Sequence, residues 1–179
     1  LGQNGENKSG FSFGTSKLEI IDLGCGDGTL TVEMAKFATS VIGVDFNPDM
    51  LASARQRIDR LGLQNVKLLA EDAGNLSLPA ESLDVVFFSQ SLHHLDNPQR
   101  GFQEAARILR PGGKVLVMEL ATHSEEWVLE KLGHKWLGFE KETLHDFMHT
   151  AGFSNLYSQI LPFRREELFQ IILAAGSKT

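Results

Sequence analysis

Apolar residues fall into short continuous runs separated by stretches with helical spacing, and the two alternate along most of the chain. Glu19-Ile20-Ile21-Asp22-Leu23 is a run of strand length that ends in a glycine cluster, and Thr29 to Phe37 follows with its apolar positions on one helical face. The unit then repeats. Val41 to Asp45 predicts a second strand; Pro48 stands where a helix begins, Met50 to Leu61 continues it and Gly62 stops it. Val66 to Ala70 is a third strand. Leu83-Asp84-Val85-Val86-Phe87-Phe88 is almost uninterrupted, as in a parallel strand covered on both faces, which places it at the sheet centre. Pro98 to Leu109 predicts a helix with Phe102, Ala105, Ala106, Ile108 and Leu109 on one face. Arg110-Pro111-Gly112-Gly113 stops it, because proline cannot continue the ladder and glycine tolerates positive φ. Lys114 to Glu119 is a fifth strand. Ser124 to Gly133 and Lys141 to Ala151, the latter ended by Gly152, predict helices. Asn155 to Leu161 and Leu168 to Ala175 predict two strands that pair antiparallel across Arg164-Arg165-Glu166-Glu167.

Strands alternating with helices in this way form an open α/β sandwich with a parallel sheet and right-handed crossovers. In such a sheet the ligand crevice lies at the carboxyl ends of the strands, beside the first one. Residues 1–17 are rich in Gly, Asn and Ser, with Phe11 and Phe13 as anchors, and predict a flexible arm or linker ahead of one domain over 18–179. A chain of 179 residues buries roughly 70% of its unfolded surface and needs no staple. With 17 Lys+Arg against 23 Asp+Glu the net charge is −6, which disfavours a nonspecific polyanion binder; no direct nucleic-acid contact is expected. Cys25 has no partner, which excludes a disulfide and fits a reducing compartment. No apolar stretch approaches the ~20 residues of a membrane span and no secretory leader is visible, so a cytoplasmic protein is expected.

Asp22-Leu23-Gly24-Cys25-Gly26-Asp27-Gly28 places glycines at every second position between a strand and a helix, where bare backbone lets a flat nucleoside approach. The dinucleotide fingerprint is Gly-x-Gly-x-x-Gly and holds a pyrophosphate, whereas here the spacing differs and Asp22 and Asp27 flank the loop. Two carboxylates repel a phosphate and attract a cationic ligand with a free amino group. Asp45 closes the second strand about twenty residues after the first glycine, placed to accept both ribose hydroxyls of NAD or of S-adenosylmethionine. Glu71-Asp72 closes the third strand, where Asp72 is placed to accept the exocyclic amine of adenine.

On these residues the chain resembles the class I S-adenosylmethionine-dependent methyltransferases. Ile20 to Gly28 is similar to their first motif, Gly43-Val44-Asp45 to their second strand end, and Leu109-Arg110-Pro111-Gly112-Gly113-Lys114 to the turn of their small-molecule members. The resemblance spans Leu18 to Leu120 and implies a Rossmann-like, seven-stranded, mostly parallel sheet of order 3-2-1-4-5-7-6 with the last strand reversed. It implies S-adenosylmethionine as cofactor, held by Asp22, Gly24, Cys25, Gly26, Asp27, Gly28, Asp45, Phe46, Asp72, Ala73 and Ser89, with S-adenosylhomocysteine as product. A narrower likeness lies in His123-x-Glu125-Glu126-Trp127 and Lys131-Leu132-Gly133-His134-x-Trp136-Leu137-Gly138-Phe139. These resemble the methyltransferase domain fused behind winged-helix repressors of the arsenical-resistance type, with ubiquinone-type C-methyltransferases as broader relatives. That likeness implies a DNA-binding domain in the full-length protein, or a second copy, as partner.

Methyl transfer from a sulfonium needs alignment and exclusion of water, with a base only if the acceptor is protonated. Ser89-Gln90-Ser91-Leu92-His93-His94-Leu95 follows the fourth strand, where the methyl projects, so His93 or His94 is the candidate base. The loop lacks the Asn/Asp-Pro-Pro-aromatic sequence of adenine N6 enzymes, Cys25 is misplaced for cytosine C5 chemistry, and one cysteine cannot hold arsenite. His94, Trp127 and Trp136 are expected at the acceptor, with Phe139 helping to wall the pocket. No metal is expected: His123 and His134 are too far apart in sequence, and the His145 and His149 pair lies on a surface helix. A small-molecule methyltransferase is the leading reading. A noncatalytic S-adenosylmethionine-sensing module of a transcriptional regulator is the alternative, and an NAD-dependent oxidoreductase is disfavoured by the glycine spacing.

Overall fold

The computed structural model describes residues 18–162 and 168–179. The expected arm at 1–17 and the Arg164-Arg165-Glu166-Glu167 connection lie outside the described residues. The elements are β1 (Glu19–Leu23), α1 (Thr29–Met34), β2 (Ser40–Asp45), α2 (Pro48–Leu61), β3 (Val66–Ala70), β4 (Leu83–Ser89), α3 (Pro98–Ile108), β5 (Leu109–Leu120), α4 (Trp127–Lys131), α5 (Lys141–Thr150), β6 (Phe153–Ile160) and β7 (Ile171–Lys178). They build one seven-stranded sheet of order β3-β2-β1-β4-β5-β7-β6. β1 to β5 run parallel, and β7 runs antiparallel to both β5 and β6, as the resemblance implied. No helix among the described residues is long and apolar enough to cross a membrane.

Local chemistry explains the punctuation. Asn47 caps α2 by accepting the Asp49 amide at 2.9 Å, Pro48 opens the helix, and Gly62 at φ 65° closes it. β4 is covered on both faces: Val86 and Phe88 pack with the fully buried Phe102 and Ile108 of α3, the Phe88 and Phe102 rings sitting 5.3 Å apart, and Val85 packs on the other side with Ile20, Ala35 and Val41. That central layer positions the strand ends that form the site.

Several expected boundaries moved: α1 ends at Met34 rather than Phe37, β6 runs Phe153–Ile160 rather than Asn155 to Leu161, and three shifts have a clear local cause. Arg110-Pro111-Gly112-Gly113 does not separate helix from strand, because β5 starts at Leu109 and these residues bulge out of its pairing with β4. Arg110 fixes the bulge, reaching Asp84 at 2.7 Å and Glu19 at 2.5 Å. The helix expected over Ser124 to Gly133 contracts to Trp127–Lys131, because the Glu125 amide donates to the His123 ring nitrogen at 3.2 Å instead of entering a helical ladder. The last strand begins at Ile171 rather than Leu168 and includes Gly176 and Ser177. Packing is close there: a Cβ on Gly176 would lie 2.8 Å from Met148 Cε of α5 and 2.9 Å from Leu156 Cδ2 of β6.

Candidate active site

The glycine loop is folded by β2. Gly24 and Cys25 both donate their amides to the Val44 carbonyl, at 2.8 and 2.9 Å, and Gly26 donates to Asp45 Oδ2 at 2.9 Å. Gly24 sits at φ 77°, and a Cβ there would fall 2.3 Å from Ser91 Cβ, so the loop touches the turn after β4 with no room for a side chain. Gly26 is the opposite case: a Cβ would meet nothing within 4 Å, because that face is open. It opens onto a cavity of about 410 Å³ at the carboxyl ends of the strands, within the range of small-molecule sites.

One wall carries Gly24, Gly26, Asp45 and Phe46, with Asn47 and Met50 from the start of α2. Asp45 Oδ1 also accepts the Asn47 amide at 2.8 Å, so each of its oxygens is oriented by one backbone N–H and keeps a further lone pair for a ligand. Phe46 is 73% exposed at the rim. Glu71, Asp72 and Ala73 form the next stretch. Glu71 is engaged by the Ser77 hydroxyl and amide, which hold its carboxyl below the usual range, while Asp72 Oδ1 accepts the Gly74 amide at 2.8 Å. Gln90, Ser91, His94 and Leu95 follow β4, and Leu132 and Gly133 close the far side. Gln90 adopts φ 50°, and the Ser91 hydroxyl donates to the Leu23 carbonyl at 2.6 Å, which pins this turn to β1.

Several expected ligands stand off the wall. Asp27 accepts the Thr29 amide at 3.1 Å and pairs with Arg57, so it starts α1 instead of charging the crevice. Cys25 is buried, and burial with the nearby Asp22 and Asp45 carboxylates pushes its thiol up to about 12, which leaves it inert. Gly28 packs on Ala54 of α2, and Ser89 ends β4 one residue short of the cavity. Asp22 is 1% exposed beneath the loop; Thr31 donates to its Oδ2 at 2.6 Å, and its Oδ1 is buried with no hydrogen-bond partner among the described residues.

Burial raises the Asp22 carboxyl from 3.8 to about 6 against the Thr31 hydrogen bond that lowers it, with Asp45 adding repulsion. Because the folded value lies above the unfolded one, the associated stability is fully present below pH 3.8 and lost as pH rises through about 6. The shift corresponds to about 3 kcal/mol. Asp22→Asn is therefore expected to raise the thermal midpoint at pH 8 by on the order of 5 °C and to leave it near the parent value at pH 3.5. Midpoints that coincide at both pH values would refute this assignment.

At the other end of the cavity His93 and His94 form a single 3-10 turn. His93 is buried, and its Nδ1 lies 2.5 Å from Glu119 Oε1 at the end of β5. The same carboxylate accepts the amides of Leu92, His93 and Leu120, so its charge is fully hydrogen-bonded. His94 faces the cavity; burial and the neighbouring His93 hold its pKa below the usual histidine value. His134 packs on both rings, and burial together with them pushes it down to about 4. Neither tryptophan reaches the wall. Trp136 donates to the Leu95 carbonyl at 2.9 Å and stacks on Phe139, and Trp127 donates to Glu125 at 2.8 Å.

The profile of the family described as Methyltransferase domain matches residues 21–117, from β1 through β5. The chain belongs to this family. It is similar to a demethylmenaquinone methyltransferase of Clavibacter sepedonicus, 33% identical over 58% of this chain and 41% of that one. A rice chloroplast 2-methyl-6-phytyl-1,4-hydroquinone methyltransferase is 31% identical over 78% of this chain and 40% of its own. The match thus spans about two fifths of the length of these curated relatives. The crystal structure of a SAM-dependent methyltransferase from Thermotoga maritima superposes with a TM-score of 0.73 at 27% identity, covering 92% of this chain and 83% of that one.

Within this methyltransferase-domain chain, several wall or near-wall residues escaped the sequence reading, Asn47 and Met50 at the start of α2 among them. Glu119 carries the same signal as Asp45, an acidic residue ending an apolar strand, and was readable in principle. His134, Leu132 and Gly133 reach the site only through the loop after α4, where the Lys135 amide donates to the His93 carbonyl at 2.7 Å.

Proposed function

We propose that this chain transfers the methyl group of S-adenosylmethionine to a small-molecule acceptor, releasing S-adenosylhomocysteine. The observation that carries the reading is the meeting of Gly26, Asp45, Asp72 and His94 around one cavity. The residues fit the cofactor: bare backbone at Gly24 and Gly26 forms a bed, Asp45 accepts the ribose hydroxyls on its remaining lone pairs, and Asp72 accepts the adenine amine. Phe46 offers an apolar ring at the rim for the base. Asp22 supplies negative charge below the loop, toward the methionine amine, without lining the cavity. When bound, the cofactor supplies an electrophilic methyl group on a positively charged sulfur.

The chain's own contribution is positioning and proton removal. His94, held neutral by its surroundings, takes the acceptor proton, and the His93–Glu119 pair beneath it fixes the turn. Leu95 and Leu132 give the acceptor an apolar side that excludes water. The names of the curated relatives support an aromatic acceptor of the quinol class. The likeness of His123 to Phe139 to repressor-fused domains supports a cytoplasmic protein whose full-length form carries a DNA-binding domain or pairs with a second copy.

Calorimetry with S-adenosylmethionine, followed by detection of S-adenosylhomocysteine across hydroquinones, phenols and amines, tests this. Binding at micromolar concentration and turnover on at least one class are expected. His94→Ala is expected to bind the donor normally and to lose about 100-fold in turnover. Binding with no turnover on any acceptor would favour the sensing module, and preferential NAD binding would overturn the assignment.

A further inference from the structure

Three imidazoles meet beside the cavity, His94 in its lining and His93 and His134 buried behind it, although proton removal needs one. The ring centroids of His93 and His94 are 4.3 Å apart, those of His93 and His134 are 4.1 Å apart, and those of His94 and His134 are 4.9 Å apart. One ligating nitrogen from each lies within 4.8 Å of the other two. Each ring is oriented. His93 gives its Nδ1 to the buried Glu119 carboxylate, which leaves Nε2, and such carboxylate–imidazole pairs orient histidines that bind metals. His94 Nδ1 faces the Gly133 carbonyl at 3.4 Å and likewise leaves Nε2. His134 is only 8% exposed, and its Nδ1 is buried with no hydrogen-bond partner among the described residues. A buried nitrogen left in this state is costly, and a cation would satisfy an otherwise orphaned ring.

We propose that His93, His94 and His134 form a site for a divalent transition cation of the zinc class, with Glu119 as the outer partner of His93 and an open coordination position facing the cavity. Nitrogen-only ligands select zinc and its first-row neighbours over magnesium or calcium. Three protein ligands with one position left open is the arrangement of catalytic rather than structural zinc. Tetrahedral coordination brings the nitrogens to about 3.3 Å from one another, so the rings close by on the order of 1 Å. The segment that must follow is already tethered by the Lys135 amide on the His93 carbonyl.

The cation's action, unlike its binding, rests on the methyl-transfer reading. A bound cation would polarise an acceptor hydroxyl and lower its pKa, so that its proton would pass to water with the O–H electron pair left on oxygen; His94 then acts as a ligand, and its role as base belongs to the metal-free chain.

The test uses the full chain after chelator treatment. Zinc calorimetry is expected to give one site per chain with a Kd of about 10 µM or tighter, and cobalt(II) to give the visible absorption of a four-coordinate centre. His134→Ala and Glu119→Gln should each weaken zinc binding by about 10-fold or more, while His149→Ala, on the exposed side of α5, should not. His94→Ala, at a partly exposed ring, should also weaken it and keeps the test valid if a buried variant misfolds, as circular dichroism would reveal. Zinc binding by the parent chain weaker than about 100 µM, or parent-like binding by both His94→Ala and His134→Ala, overturns the site. Donor titration of the same samples separates the two readings: zinc bound without donor supports the metal site and refutes methyl transfer, and donor bound without zinc overturns the metal site and leaves the methyl-transfer reading to the turnover assay.

Discussion

Asp45→Ala is expected to weaken S-adenosylmethionine binding by at least about 100-fold, with the far-ultraviolet circular dichroism of the parent. Two hydrogen bonds from ribose hydroxyls to a charged acceptor contribute about 1.5 to 3 kcal/mol each, and every 1.4 kcal/mol is about tenfold in affinity. The substitution also releases the amides of Gly26 and Asn47, which Asp45 orients at 2.9 and 2.8 Å. The bed therefore loosens together with the loss of the ribose acceptor. Asp45→Asn retains one acceptor oxygen and should fall between the parent and alanine. Calorimetry decides the matter, and an alanine variant within about threefold of the parent would remove the ribose assignment.

Gly24→Ala is expected to lower the thermal midpoint by on the order of 10 °C. A left-handed conformation at φ 77° costs an alanine about 1 to 2 kcal/mol, and the new Cβ would lie 2.3 Å from Ser91 Cβ. Relief requires the turn after β4 to move, which breaks the Ser91 hydroxyl bond to Leu23. The double variant Gly24→Ala/Ser91→Gly removes the collision but not the backbone strain, so differential scanning calorimetry should show partial recovery. Gly26→Ala, also at positive φ (53°) but with free space around the added methyl group, should show only the backbone-strain part of that drop and bind the donor poorly. If Gly24→Ala unfolds with the parent, the close approach of loop and turn is not a constraint.

These two glycines mark how far the sequence could be read. The first five strands were legible because each is a short, largely apolar run bounded by its own turn chemistry, such as Asn47 with Pro48 before α2 and Gly62 after it, even where, as in β3 at the sheet edge, none of its residues is fully buried. The bed was legible for the same reason: Gly24, Gly26, Asp45, Phe46, Asp72 and Ala73 follow strand ends, and strand ends in a parallel sheet converge. Residue type alone could not separate Asp27 and Asp22 from Asp45. Asp27 is drawn away by Arg57, thirty positions further on, and Asp22 lies under the loop because its place in β1 points it toward Thr31. The acceptor side was hardest to read. Trp127 and Trp136 were expected at the acceptor, but their indole N–H groups are bonded to Glu125 and to the Leu95 carbonyl. The residues that do approach, Leu132, Gly133 and His134, belong to a loop whose path depends on contacts about forty positions apart, which no periodicity announces.

The position of β7 between β5 and β6 has a kinetic consequence. Emerging from the ribosome, β6 finds no ladder to join, because its only neighbour is encoded later. The half of the sheet that carries the glycine bed can close first from sequential parallel units, whereas the opposite edge waits for one long-range zippering event that captures α5 and β6 at once. Nascent chains stalled before Ile171 should thus expose the apolar faces of α5 and β6 together.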